Sequence, residues 1–150
     1  MTESVWDYPR PPRIDHETRT IRVIHGGVTI AETTSARAVK ETSGPPVYYI
    51  PPGDVVTERL TPSPKRTFCE WKGEAHYFDA AGARDAAWCY PETTRAFTEI
   101  TGWFAFFAGR VDECWVGEER AKPQPGDYYG GWITSDITGP FKGDPGTENW

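Results

Sequence analysis

The chain has 150 residues and a formal net charge of −6, so one domain is expected and duplex nucleic acid is not expected as a main partner. Aromatic residues make up 14% of the chain beside 15 glycines and 14 prolines, which disfavours a helical bundle and favours short strands joined by turns. The sequence lacks a long apolar run and a secretory signal pattern, so we expect a cytoplasmic protein without a membrane partner.

The N-terminal third predicts one hairpin and one helix. Residues 1–18 are polar and proline-rich, which favours an extended lead-in. Apolar and polar residues alternate on both sides of a turn at 25–27, and this pattern predicts a β-hairpin. Hydroxyl side chains then precede residues 36–41, so we expect a short helix there that stops before Gly44.

The middle of the chain predicts a series of short strands. Strand-like runs occupy residues 47–50, 67–71, 75–78 and 86–90. Residues 60–65 carry two prolines and are expected to form a loop. Lys72 and Gly73 lie between two of the runs, at a predicted bend.

A second helix and a second hairpin are predicted next. Pro91 suits the first position of a short helix that ends at Gly102. Residues 103–107 are apolar on both faces, which predicts a central strand, and 111–116 is its predicted hairpin partner.

The predicted fold class is mainly β with two short helices. We expect a lead-in over 1–18, a core domain over 19–116 and a turn-rich C-terminal extension over 117–150 that packs on the core. Apolar residues that would hold the extension are Trp132, Ile133, Phe141 and Trp150.

The cysteines do not form a metal-binding pattern. Cys69, Cys89 and Cys114 are an odd number, and the sequence has neither a Cys-x-x-Cys nor a His-x-x-x-His spacing. We therefore predict three free thiols, no metal site and no cofactor.

The run from Cys69 to Tyr77 concentrates reactive groups. A bend at Gly73 would bring Lys72 over the strand face of Cys69, where an ammonium would raise the thiolate fraction. His76 and Glu41 are the candidate acid/base groups of such a site. The alternative is structural: a buried Cys69, an exposed Lys72, an ordinary hydrogen-bonded His76 and a solvated Glu41.

Several segments together resemble a known family. The matching elements are Val47-Tyr48-Tyr49-Ile50-Pro51, Thr67-Phe68-Cys69-x-x-Lys72-Gly73-x-Ala75-x-Tyr77, Ala87-Trp88-Cys89-Tyr90-Pro91 and Gly102-Trp103-Phe104-Ala105-Phe106-Phe107. They resemble the domain of unknown function 427 family, which is sometimes labelled nucleotidyltransferase-like. Glu70 stands where many members have proline. The resemblance implies a small β-tent of two antiparallel sheets, here free of the zinc that related tents hold through two Cys-x-x-Cys pairs.

Aromatic residues near the predicted strands form a second candidate site. They are Tyr48, Tyr49, Trp71, Tyr77, Trp88, Tyr90 and Trp103. Aromatic walls with a few polar groups are typical of small-molecule pockets and also attract cations. The alternative is that the rings only fill the core.

Three functions remain open at this point. The first is a binding module for a small polar or cationic organic metabolite in the aromatic cleft. The second is an enzyme acting on a small metabolite through Cys69 and Lys72, with Glu41 or His76 as acid/base and Tyr49 as an orienting donor. The third is a scaffold that meets a protein partner through the extension. The sequence does not indicate an oligomeric state.

Overall fold

A computed structural model describes residues 2–126 and 128–144, which are mainly β. The strands are β1 (Glu3–Ser4), β2 (Arg13–Glu17), β3 (Ile21–His25), β4 (Val28–Thr33), β5 (Ala36–Lys40), β6 (Val47–Tyr49), β7 (Leu60–Cys69), β8 (Gly73–Ala80), β9 (Ala83–Cys89), β10 (Phe104–Phe106), β11 (Glu113–Val116), β12 (Glu119–Arg120), β13 (Lys122–Pro123), β14 (Trp132–Ile133) and β15 (Ile137–Thr138). Short 3₁₀ helices cover Val5–Asp7, Pro52–Asp54, Thr57–Arg59 and Arg95–Ile100. None of the helices in these residues is long and apolar enough to cross a membrane.

Two antiparallel sheets and one smaller sheet form the body. The strand orders are β10-β9-β8-β7, β12-β11-β3-β4 and β2-β5-β6. Ile50 and Phe104 join the first and third sheets, because each backbone N–H donates to the carbonyl of the other, at 2.7 and 2.9 Å. Strands β2, β5, β6, β10, β9, β8 and β7 therefore form one layer.

The two faces of this layer carry different apolar clusters. One face packs against the β3–β4–β11–β12 sheet through residues such as Ile21, Tyr48 and Phe106. The opposite face carries a second cluster that includes Tyr49 and Trp88. Neighbouring residues of a strand point to opposite faces, so Tyr48 and Tyr49 belong to different clusters.

The predicted fold class is confirmed, and the hairpin turn at 25–27 and the strand at 47–50 lie where the pattern placed them. The first predicted helix is wrong, because Ala36–Lys40 is strand β5. It pairs with β2 on one side and with β6 on the other. Hydrogen bonding to two neighbours outweighs the weak helix propensity of this segment.

The predicted loop at 60–65 is also wrong, because it is the first half of β7. The pairing of β7 with β8 shifts register between Pro62 and Arg66, and β7 lies at the edge of its sheet. Prolines are tolerated at a bulge on an edge strand, where a missing N–H costs no ladder hydrogen bond.

The predicted second hairpin is wrong as well. Strand β10 lies at the end of its four-stranded sheet beside β9, and β11 pairs with β3 and β12 instead. The second predicted helix is shorter than expected: a 3₁₀ helix begins at Arg95, not at Pro91, and buries Phe97 and Ile100.

The chain termini add to the body. The predicted lead-in contributes β2, and β1 pairs in parallel with β15. Trp132 is buried and its indole N–H donates to the carbonyl of Phe106 at 2.8 Å. Phe141 packs against Val5, Tyr8 and Ile137. Trp150 lies outside the described residues.

Candidate functional site

A cleft of about 450 Å³ opens on the face of the layer that carries Tyr49 and Trp88. Strands β5 to β9 supply its floor, the turn between β7 and β8 forms one wall, and the C-terminal extension forms another wall. Ligand cavities in proteins commonly span roughly 300–1,000 Å³, so the cleft has room for a small organic molecule.

Aromatic rings form the floor. Tyr77 and Trp88 are direct partners across β8 and β9, with ring centroids 6.4 Å apart. Phe107 lies 4.6 Å from Trp88, and Tyr49 lies 6.3 Å from both Trp88 and Tyr90. These rings come from four different strands or strand ends. The floor therefore forms only when these strands pair in the layer.

The phenols in this floor stay protonated. Burial raises the pKa of Tyr49, Tyr77 and Tyr90 above the ordinary tyrosine value. For Tyr49 a hydrogen bond to Trp88 acts in the opposite direction without cancelling the effect of burial. The hydroxyl of Tyr77 lies 3.0 Å from Oγ1 of Thr67. Neutral phenols therefore offer hydrogen-bond donors and acceptors within an apolar surface.

A rigid turn positions Lys72. Gly73 has φ +122, and a Cβ atom there would lie 2.9 Å from the carbonyl oxygen of Glu92. The backbone N–H of Thr94 donates to the carbonyl of Lys72 at 3.1 Å, and its hydroxyl donates to the carbonyl of Trp71 at 2.6 Å. The turn is thus fixed to the segment that follows β9.

Lys72 is buried, with 8% of its surface exposed, and it lines the cleft. Its Nζ lies 5.7 Å from the ring centroid of Tyr90 and 5.8 Å from that of Phe97. Among the described residues, the lysine that forms ion pairs is Lys40, with Glu3 and Asp15, and Lys72 forms none. Most of the Lys72 side chain is thus covered while its ammonium has no carboxylate partner, and a lysine of this kind is a candidate for binding an anion.

The rim of the cleft is more polar and more exposed. Glu41 lies there and pairs with Arg10 at 3.5 Å. Cys69 is half-buried, while Phe68 is 75% exposed at the mouth. Glu70 is exposed.

The extension is fitted closely to the floor. A Cβ atom at Gly130 would lie 2.7 Å from Cζ3 of Trp88, so only glycine lets the backbone pass there. The side-chain oxygen of Gln124 accepts from the N–H of Gly131 at 3.0 Å, and its amide donates to the carbonyl of Lys142 at 2.7 Å. Gln124 therefore joins the two parts of this wall.

Eight of the residues singled out in the sequence lie around the cleft. They are Glu41, Tyr49, Cys69, Trp71, Lys72, Tyr77, Trp88 and Tyr90. Three others lie elsewhere. Tyr48 packs on Trp132 at 5.3 Å in the other cluster. His76 bonds to Glu74 at 3.0 Å on the opposite strand face from Tyr77, and Trp103 lies under the guanidinium of Arg37 at 5.1 Å.

Sequence reasoning missed the contribution of the extension to this site. Tyr128, Tyr129, Gly130, Gln124 and Lys142 line the cleft, although they follow the floor residues by many positions. The one signal in the sequence is the aromatic pair beside two glycines, Tyr128-Tyr129-Gly130-Gly131.

A comparison with known protein families identifies the family of this chain. The model of a family described as a domain of unknown function, DUF427, matches residues 13–117. The chain belongs to this family. No curated protein matches the chain. The DUF427 region thus supplies the floor and the Lys72 turn, whereas the wall made by Gln124, Tyr129 and Lys142 lies beyond it.

The residues of this DUF427 protein do not fit a metal centre of the zinc-tent kind. Within the part of the chain that the structure describes, no group of three or more His, Cys, Asp or Glu side chains could hold a metal ion. The three cysteines are free thiols, and Cys114 lies in the other apolar cluster, away from Cys69.

Proposed function

We propose that the protein binds a small polar organic molecule in the cleft. The observation that carries the proposal is the convergence of an aromatic floor, neutral phenols and one buried cation on a cavity of about 450 Å³. Such a combination is typical of ligand sites, where apolar walls supply affinity and a few polar groups fix orientation.

The rings fill core space and also line the cleft. Tyr49, Tyr77 and Trp88 are packed against one another and are no more than 6% exposed, yet each contributes to the lining of the cavity. A cavity beside them, which side chains in a close-packed core would fill, favours a binding role. The cationic ligand that the sequence also allowed would be repelled by Lys72, which favours a neutral or acidic polar molecule.

A metabolite screen with a matched pair of variants tests the proposal. Trp71 and Trp115 are both half-buried, but only Trp71 lines the cleft. We expect a compound that raises the melting temperature of the wild type to lose its effect in Trp71→Ala and to keep it in Trp115→Ala. Hits that act equally on both variants, or a broad screen without any hit, would count against the proposal.

An enzyme is the second candidate, because Cys69, Lys72 and Glu41 line the same cleft. In that case Cys69 is the nucleophile, Lys72 stabilises its thiolate and Glu41 is the acid/base. His76 is left out, since it lies on the other strand face. Alkylation of Cys69 at neutral pH should then exceed that of a free thiol of pKa about 8.5 and should slow in Lys72→Met.

The scaffold role and the location stay predictions. Tyr128 and Tyr129 are exposed at the cleft mouth, so a double alanine variant tests partner binding in pull-downs without deleting the wall. A cytoplasmic location is part of our proposal, because three free thiols suit a reducing compartment.

A further inference from the structure

Lys72 presents hydrogen-bonding capacity that the protein itself leaves unused. An ammonium carries three N–H donors, and within the described residues Lys72 forms neither a hydrogen bond nor an ion pair. The faces of Tyr90 and Phe97 lie 5.7 and 5.8 Å from Nζ, near the outer limit of about 6 Å for a cation–π contact. Ring faces of this kind compensate the charge only in part and satisfy no donor.

We propose that the ligand is a small organic acid whose carboxylate binds Nζ of Lys72 while its flat apolar part lies on Trp88 and Tyr77. This inference rests on the proposed binding function and names the chemical class of the ligand. A carboxylate accepts charge-assisted hydrogen bonds from an ammonium, and such bonds are about twice as strong as neutral ones.

The other charged side chains at the cleft do not prevent an anion from binding beside Lys72. The carboxylates that line it are at the rim, where Glu41 is paired with Arg10 and Glu70 is exposed to solvent. Lys142 lies in the wall formed by the extension, with its Nζ 4.6 Å from the ring centroid of Tyr129. Lys72, which is less exposed than Lys142, is therefore not neutralised by a neighbouring acid.

A carboxylate fits better than a phosphate. None of the described residues that line the cleft is an arginine, the residue that holds phosphate with two parallel hydrogen bonds. Two arginines lie next to the lining: Arg10 is paired with Glu41 at the rim, and Arg110 lies over the ring of Phe107. One buried lysine balances one negative charge, the charge that a carboxylate carries.

Four phenyl compounds of similar shape test whether the charge of the ligand determines its affinity for the cleft. We would titrate the full chain with phenylacetate, phenylacetamide, phenethylamine and phenyl phosphate, following ¹H–¹⁵N shifts so that millimolar affinities are measured. Phenylacetate should bind about tenfold more tightly than the amide, because the ammonium of Lys72 then meets a full negative charge instead of a neutral carbonyl oxygen. The amine should bind least.

Lys72→Met removes the charge and keeps the chain length, and Lys122→Met is the control at an exposed lysine outside the cleft. The preference for phenylacetate should disappear in Lys72→Met and persist in Lys122→Met. The acid–amide comparison in the wild type stands even if Lys72→Met folds poorly.

The outcomes distinguish this inference from the function on which it rests. Amide or amine binding at the Trp88 floor with equal or greater affinity would overturn the acid class and leave the binding function intact. Tighter binding of phenyl phosphate than of phenylacetate would overturn the carboxylate assignment. Binding by none of the four probes would count against both.

Discussion

Gly130 lies against the indole ring of Trp88, so closely that a Cβ atom on Gly130 would be 2.7 Å from Cζ3 of the ring. This contact joins the C-terminal extension to the aromatic floor. Gly130 lies outside the residues matched by the family model, and it packs on a ring that lines the cleft. Replacing one hydrogen of Gly130 with a methyl group would therefore disturb the site.

Gly130→Ala should displace the extension from Trp88. Trp88 is buried and cannot move aside freely, so we expect a loss of about 1–3 kcal/mol in the free energy of unfolding. Urea denaturation followed by tryptophan fluorescence measures it. Gly53→Ala is the control, because no atom lies within 4 Å of its Cβ position, and it should change stability by less than about 0.5 kcal/mol. Equal effects of the two substitutions would show that the contact is not tight.

Gly73→Ala should disturb the turn that carries Lys72. Its φ of +122 disfavours a side chain, and the added methyl group would meet the carbonyl oxygen of Glu92 at 2.9 Å. We expect a loss of about 2 kcal/mol or more.

Gly82→Ala is the control that separates the backbone strain of a positive φ from the steric clash with the carbonyl of Glu92. Gly82 also has positive φ, at +89, but no atom lies within 4 Å of its Cβ position. Its substitution should cost only about 1 kcal/mol. If Gly82→Ala were as damaging as Gly73→Ala, the carbonyl of Glu92 would not be the cause.

Part of this site follows from the sequence by strand periodicity. Tyr77 and Trp88 lie in recognisable strands, and both belong to the cleft. The same alternation places His76 and Tyr48 on the opposite face from Tyr77 and Tyr49. Strand alternation therefore assigns neighbouring aromatic residues to opposite faces, whereas composition alone places all of them in one group.

The rest depended on contacts between distant segments. Ala36–Lys40 has helix-compatible residues, and only its pairing with β2 and β6 makes it a strand. The approach of Gly130 to Trp88 spans more than forty positions and obeys no local pattern. A sequence pattern indicates the local preference of a segment. The strand pairing of β5 and the contact of Gly130 with Trp88 depend instead on segments that are distant in the chain.

Lys72→Met should raise stability. Most of the Lys72 side chain is covered and no acid pairs with its ammonium, so partial desolvation costs free energy that an apolar side chain of similar length avoids. We expect a gain of about 0.5–2 kcal/mol in chemical denaturation, against a change within about 0.5 kcal/mol for the exposed control Lys122→Met. A clear loss of stability in Lys72→Met would mean that the protein itself satisfies the ammonium.

The three thiols should differ in reactivity. Cys69 is half-buried at the cleft, whereas burial raises the pKa of Cys89 to about 11 and that of Cys114 further above the ordinary value. At pH 8 the native protein should therefore show one reactive thiol with Ellman's reagent, and that thiol should be absent from Cys69→Ser. In urea all three should react. Rapid reaction of two or more native thiols would contradict the burial of Cys89 and Cys114.

Alkaline pH should destabilise the fold. Burial raises the pKa of Tyr49 and Tyr90 above the ordinary value near 10, and that of Cys89 from about 8.5 in an unfolded chain to about 11. The folded state thus holds these protons more tightly than the unfolded state does. The resulting stability is fully present below the unfolded pKa values and is lost as the pH rises through the folded ones.

Urea denaturation at intervals from pH 7.5 to pH 10.5 measures this loss. The free energy of unfolding should decline from about pH 9 upward, since Cys89 is the first of the three groups to titrate in the unfolded chain. Cys89→Ala should flatten the early part of the decline. Absorbance of tyrosinate gives an independent check, because Tyr49 and Tyr90 should ionise only as the native protein unfolds. A stability that stayed constant to pH 10.5 would contradict the burial of Cys89 and of the phenols in the cleft floor.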